Sequence, residues 1–163
     1  MRVLGIDPGL RITGYACVEL PPSGIEPKLL EAGVLTFKPQ TPTETRLLQL
    51  HTDLTALIAE LHPTRLAVEK LYAHYAHPRT AILMAHARGI ILLAGSQAQL
   101  PITHLASTEV KKSLTGNGHA SKQQIQLAVA SQCRLAEPPN PPDVADAIAI
   151  ALTCARRIAF ERL

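Results

Sequence analysis

The chain has 163 residues, 47% of them apolar and 18% charged, with 16 lysines and arginines against 13 acidic residues and a formal net charge of +3. Such a balance excludes intrinsic disorder, and the apolar stretches are all interrupted short of the roughly 20 residues that a membrane-spanning helix needs. Its length is that of one domain, residues 1–163, and the lack of a signal-peptide pattern makes a cytoplasmic location the expectation.

"RVLGID" and "TGYACVEL" are strand-like runs joined by a tight turn with Pro8 and Gly9, and "KLLEAGVLTF" is a third after the loop "PPSGIEP". Together they predict an antiparallel meander. From Pro42 to Leu61 the residues Leu47, Leu50, Leu54, Leu57, Ile58 and Leu61 recur at helical spacing ahead of Pro63. "RLAVEK" reads as a fourth strand. Pro78 suits a first helical turn, and Ala81 to Leu93 is apolar on most faces, which predicts a helix buried between the core and a partner. "ITHLA" is the fifth strand. Helices are predicted from Ser107 to Leu114, from Ser121 to Cys133 and from Asp143 onward, punctuated by Gly116, Gly118 and "EPPNPPD". The expected fold class is therefore α/β, a five-stranded mixed sheet flanked by helices. Cys17, Cys133 and Cys154, odd in number and widely spaced, read as reduced core residues rather than a disulfide framework or zinc ribbon.

Candidate chemistry lies in the acidic residues. In this order of elements the first and fourth strands can be parallel neighbours, and Asp7 and Glu69 each follow an apolar run at a C-terminal strand end. Ligand sites of α/β sheets favour that edge, and a buried carboxylate costs several kcal/mol, roughly, unless it is paired or bound. Taken singly, each also reads as a solvated strand end. Asp143 and Asp146 are three apart at a helix start and share one face, a placement that capping alone would also explain. Four carboxylates from three separated segments, however, converge only if cations bind among them. Hard oxygen ligands favour Mg²⁺ or Mn²⁺, and two such ions about 4 Å apart could drive in-line phosphodiester hydrolysis.

The stretches "GIDPGLRITGY", "LAVEKLYAHYAHPRTAILMAHARGI", "VKKSLTGNGHASK" and "NPPDVADAIAIA", in that order and spacing, make nearly the whole chain resemble the RuvC family of bacterial Holliday-junction resolvases. The resemblance implies a ribonuclease H-like fold and an endodeoxyribonuclease that resolves four-way junctions by two symmetric nicks. It also implies that Asp7, Glu69, Asp143 and Asp146 bind two divalent cations per subunit, Mg²⁺ with Mn²⁺ as an alternative. Asp7 is then the bridging ligand, and Lys122 helps to position or polarise the nucleophile. Some family members carry histidine where Asp143 stands, so the aspartate leaves the chemistry intact.

Partners follow from the same resemblance: four-way junction DNA, a second copy of the chain in a homodimer, and the RuvA–RuvB branch-migration complex, with no membrane. Two symmetric nicks need two equivalent sites, and the apolar helix from Ala81 to Leu93 is the expected interface. Lys111 and Lys122 match basic residues implicated in DNA binding or catalysis. They lie in a stretch, Lys111 to Glu137, that carries no acidic residue before its end. Tyr72 matches an aromatic position thought to stack on or wedge between junction bases, a core tyrosine being the alternative. Arg79, Arg88 and His119 are candidate phosphate contacts. His74 and His77 have chelating spacing but no completing ligands nearby, and read as loop residues near the DNA.

Three other readings compete. A phosphotransferase of the actin and sugar-kinase type needs two lobes, and this chain has one "DPG" stretch. A non-catalytic junction-binding module predicts a neutral residue at one of the acidic positions, and none is neutral. A generic ribonuclease H-like nuclease shares the acidic site without the "VKKSLTGNGHASK" and "DVADA" context.

Overall fold

In the computed structural model, which describes residues 1–71 and 78–162, the order of elements is as expected. Strands β1 (Arg2–Asp7), β2 (Ile12–Glu19) and β3 (Lys28–Thr36) form the meander, followed by helix α1 (Thr43–Leu61) and strand β4 (Arg65–Glu69). Helix α2 (Pro78–Gln97) extends past the expected Ala81–Leu93 at both ends and leads to strand β5 (Ile102–Leu105). Helices α3 (Ser107–Thr115), α4 (Lys122–Cys133) and α5 (Pro142–Phe160) complete the described chain. The sheet runs β3-β2-β1-β4-β5, with the meander pairs antiparallel and the β1–β4 and β4–β5 pairs parallel.

Strand periodicity sorts the side chains between two cores. Leu4 and Ile6 of β1, with Leu66 and Val68 of β4, face α1 and α2 and pack on Leu50, Leu54, Leu57 and Ile91. Val3 and Ala67 face the opposite way and pack with residues of α3, α4 and α5. Because successive strand residues point to opposite faces, Asp7 and Glu69 fall on the α5 side.

Helix α5 is buried almost all round, as a helix between a sheet and a further helical layer must be. It lies close on β1 and β2 because small residues meet there. A Cβ on Gly5 would stand 2.6 Å from the Ala147 carbonyl oxygen, and one on Gly14 would collide with the Asp143 carbonyl. The backbone at the start of α5 is thus seated against the strand residue that pairs with Asp7, since Asp7 and Gly14 are register partners.

On the other face, α2 buries only Ala87, Ile91, Ala94 and Gly95, whereas Ile82, Leu83 and Leu93 are 55%, 36% and 48% exposed. Leu48 of α1 is 66% exposed. Among the described residues no helix is long and apolar enough to cross a membrane. The three cysteines are free, Cys17 and Cys154 buried and Cys133 half-buried.

Candidate active site

A cavity of about 520 Å³ opens at the C-terminal ends of β1 and β4, and Asp7, Glu69, Asp143, Asp146, Lys111 and Lys122 all line it. Three separate local arrangements bring them there. Asp7 ends β1, and the turn after it is held by Thr13, whose buried hydroxyl donates to the Gly9 carbonyl and accepts from the Gly9 N–H at 3.3 Å. Glu69 ends β4, where the next amide, Lys70 N–H, donates to the Leu105 carbonyl at 2.7 Å. Asp143 and Asp146 sit one turn apart near the start of α5. That helix begins with Pro141 as its N-cap and Pro142 at its first position, and no side chain caps it. Neither aspartate therefore occupies the cap, although Asp143 in the first turn still suits the helix macrodipole, and both carboxylates line the cavity.

Lys122 is the first residue of α4, behind a complete capping box in which the Ser121 side chain accepts from Gln124 N–H and the Gln124 side chain accepts from Ser121 N–H. A cation at a helix N-terminus opposes the macrodipole by about 0.3–1 kcal/mol. The carboxylates facing it offset that cost. Lys111, on α3, contributes its charge from the side of Glu69 and Asp146.

Like charges and burial act on the acids together. Burial first, then Asp146, Glu69 and Asp143, hold the Asp7 carboxyl well above its ordinary range, with Lys122 opposing. Burial and Asp146 raise Glu69, against Lys111 and the Ser107 hydroxyl. Asp146 is raised by burial and Asp143, against Lys122 and Lys111. All three therefore bind a proton more readily in the folded chain than in the unfolded one. Folding stability falls as pH rises from the unfolded value through the raised folded value, and the loss is complete above it. In chelator, the Tm of Asp7→Asn minus that of the wild type should widen as pH is raised from about 4. A thermal-melt series showing a flat difference would contradict this.

A cluster under such strain suits hard cations. Its donors are carboxylate oxygens, with no thiolate or imidazole among the described residues that line the cavity, which fits Mg²⁺ or Mn²⁺ better than Zn²⁺. Among the described residues, no three His, Cys, Asp or Glu side chains are already closed around one point.

Of the cavity residues not singled out from the sequence, Ser107 and Arg46 bear on the acids. Ser107 opens α3 directly after β5, at the sheet edge where sites form, and its hydroxyl helps to lower Glu69. Arg46 lines the cavity from α1 and donates to the Leu10 carbonyl at 3.0 Å, bracing the turn after Asp7. Its signal was an arginine four residues before Leu50, on the buried stripe of the helix. Arg88, a candidate phosphate contact, is half-buried, and its Nε donates to the Glu69 carbonyl at 3.1 Å. Arg79 and His119 are exposed. Tyr72, with His74, Tyr75 and His77, lies outside the described residues.

Comparison with known proteins gives one consistent family. The family model described as crossover junction endodeoxyribonuclease RuvC matches residues 3–154. A crossover junction endodeoxyribonuclease RuvC of Rhodopirellula baltica is 48% identical over 150 residues, 92% of this chain and 83% of that protein. The T. thermophilus RuvC solved in complex with a Holliday junction substrate superposes with a TM-score of 0.89 at 32% identity, covering 99% of this chain and 96% of that one. The yeast mitochondrial Holliday junction resolvase Ydc2 shares the fold, with a TM-score of 0.68 at 12% identity over 99% of this chain and 84% of that one.

Proposed function

The chain belongs to the RuvC family of crossover junction endodeoxyribonucleases, and from that membership we propose that its acidic cavity is where it resolves Holliday junctions, by one nick per subunit of a symmetric pair. One observation carries the assignment of the site: four carboxylates from three separated segments line a single cavity together with two lysines. Asp7, Glu69, Asp143 and Asp146 would hold two divalent cations, Mg²⁺ or Mn²⁺. When bound, such ions lower the pKa of water and neutralise charge in an in-line phosphodiester displacement. The chain's own groups do the rest. The rigid turn after Asp7 and the seating of α5 keep the acids in register, and Lys122 and Lys111 supply positive charge where a phosphate must approach.

DNA contact through the lysines implies a salt dependence that can be counted. Each phosphate neutralised contributes about −0.9 to the slope of log affinity against log salt. Lys111→Ala should weaken binding to junctions of any sequence alike and reduce the slope by about 1. Filter binding or anisotropy in chelator over a salt series reads this directly, and an unchanged slope would remove Lys111 from the interface.

The exposed apolar residues of α2 and Leu48 of α1 support a homodimer through this face, so that two equivalent cavities meet a junction of approximate two-fold symmetry. A single domain of residues 1–163, a cytoplasmic location and cooperation with the RuvA–RuvB branch-migration complex complete the proposal. It is tested by cleavage of a synthetic four-way junction beside a matched duplex and an RNA–DNA hybrid, each with Mg²⁺, Mn²⁺ or EDTA. Paired nicks in the junction alone, abolished by EDTA, are the expected result. Equal cutting of the hybrid would point to a generic nuclease, and junction binding without cutting in either metal would leave only a binding module.

A further inference from the structure

We infer that Arg88 is a positioning residue of the active site, gripping the end of β4 from α2 and so fixing the backbone that carries Glu69. The inference rests on the reading of Glu69 as a residue of the reacting site. Strand pairing holds that position on one side only: Glu69 is in register with Leu105 of β5, but the register of β1 with β4 ends at Ile6 and Val68, one residue before it. Beyond Glu69 the ladder with β5 contributes only the Lys70 N–H bond to Leu105.

Arg88 supplies a further restraint at the Glu69 carbonyl. Its Nε donates to that oxygen at 3.1 Å, and its Nη2 lies 2.7 Å from Nδ1 of His104, on β5. A guanidinium has donors only, so the imidazole nitrogen accepts. One planar fork thereby ties a helix to two adjacent strands at the edge where the cavity opens. Lysine could replace one of the two bonds but not span both, because its ammonium is a single point donor on a flexible stem. These two bonds aim Arg88 at the Glu69 backbone, so its effect on the reaction runs through the placement of Glu69. The consequence for Glu69 follows from the sensitivity of catalysis to placement: a shift of about 1 Å can cost roughly 10²-fold in rate.

The test uses Arg88→Met, which keeps the length and apolar stem, and Arg88→Lys. Three quantities are read for each full-length protein: kcat on saturating four-way junction, junction affinity in EDTA, and the Mg²⁺ concentration at the midpoint of the metal-dependent rise in Tm. Arg88→Met is expected to lower kcat by about 10–100-fold and to raise the Mg²⁺ midpoint several-fold, roughly, with junction affinity unchanged. Arg88→Lys should recover part of both effects. Wild-type kcat and midpoint in Arg88→Met would overturn the inference, as would a lower Tm with both left intact, which marks a structural role only. Lost junction affinity with intact kcat at saturation would also overturn it, making Arg88 a phosphate contact. If the wild type itself cuts no junction, the proposed function fails separately, while the Mg²⁺ midpoint still tests Arg88.

Discussion

Asp7→Asn should bind a four-way junction with at least wild-type affinity yet cut it about 10³-fold more slowly, or worse. Burial and the neighbouring Asp146, Glu69 and Asp143 all oppose the charge of Asp7 and hold its carboxyl well above its ordinary range. Asparagine keeps the shape and one acceptor oxygen but removes the charge that a divalent cation requires. The same change relieves repulsion in the metal-free protein, so stability should move the other way. A gain of about 1–2 kcal/mol is typical when a strained active-site charge is removed. For a chain of this size that corresponds to a Tm higher by roughly 2–8 °C in EDTA. Added Mg²⁺ should narrow the difference, because only the wild type gains fully from binding the ion. Single-turnover cleavage and thermal melts on the same preparations decide the matter. Cutting at the wild-type rate would remove Asp7 from the chemistry, and a lower Tm in EDTA would mean that its carboxylate stabilises the fold instead.

Gly14→Ala should damage both stability and rate, although residue 14 lines no part of the cavity. The added methyl would collide with the carbonyl of Asp143, a backbone atom that cannot rotate away. Either β2 or the first turn of α5 must yield. Overpacking of this kind costs about 1–3 kcal/mol, or a Tm lower by roughly 2–12 °C. Since Gly14 is the register partner of Asp7, the shift falls between Asp7 and the Asp143–Asp146 pair. A cleavage rate lower by about 10²-fold at a temperature where the variant remains folded is the expected mark of that displacement. Full activity in the folded variant would show that the spacing of α5 from β1 tolerates more slack than the close packing implies.

Most of the architecture was legible residue by residue. The apolar runs in "RVLGID" and "RLAVE" predicted buried strands, and the order of elements allowed β1 and β4 to be the parallel neighbours that the sheet shows. Asp7 and Glu69 stood out because each charge ends an apolar run at the edge where α/β sheets hold ligands. Asp143 and Asp146 were visible as a pair that, taken alone, read as capping residues, and the structure places Pro141 at the cap with no side-chain bond. Arg88 was left open for a similar reason. An arginine in an otherwise apolar helix looks the same in sequence whether it reaches outward to phosphate or inward to a carbonyl.

By itself, then, the sequence determined the elements and their order, and the resemblance of its motifs pointed to the four acids with Lys111 and Lys122. The elements rest on periods of 2 and 3.6 residues and on turn chemistry, which act over a few positions of chain. Only the tertiary structure decided that the apolar side chains of α2 divide between core and surface, that Gly5 and Gly14 seat α5 against the strands, and that Arg46 and Arg88 brace the turn after Asp7 and the end of β4. Those outcomes depend on distances between segments tens of residues apart. Close packing and the need to pair buried polar groups set such distances, and no local pattern in the chain encodes them.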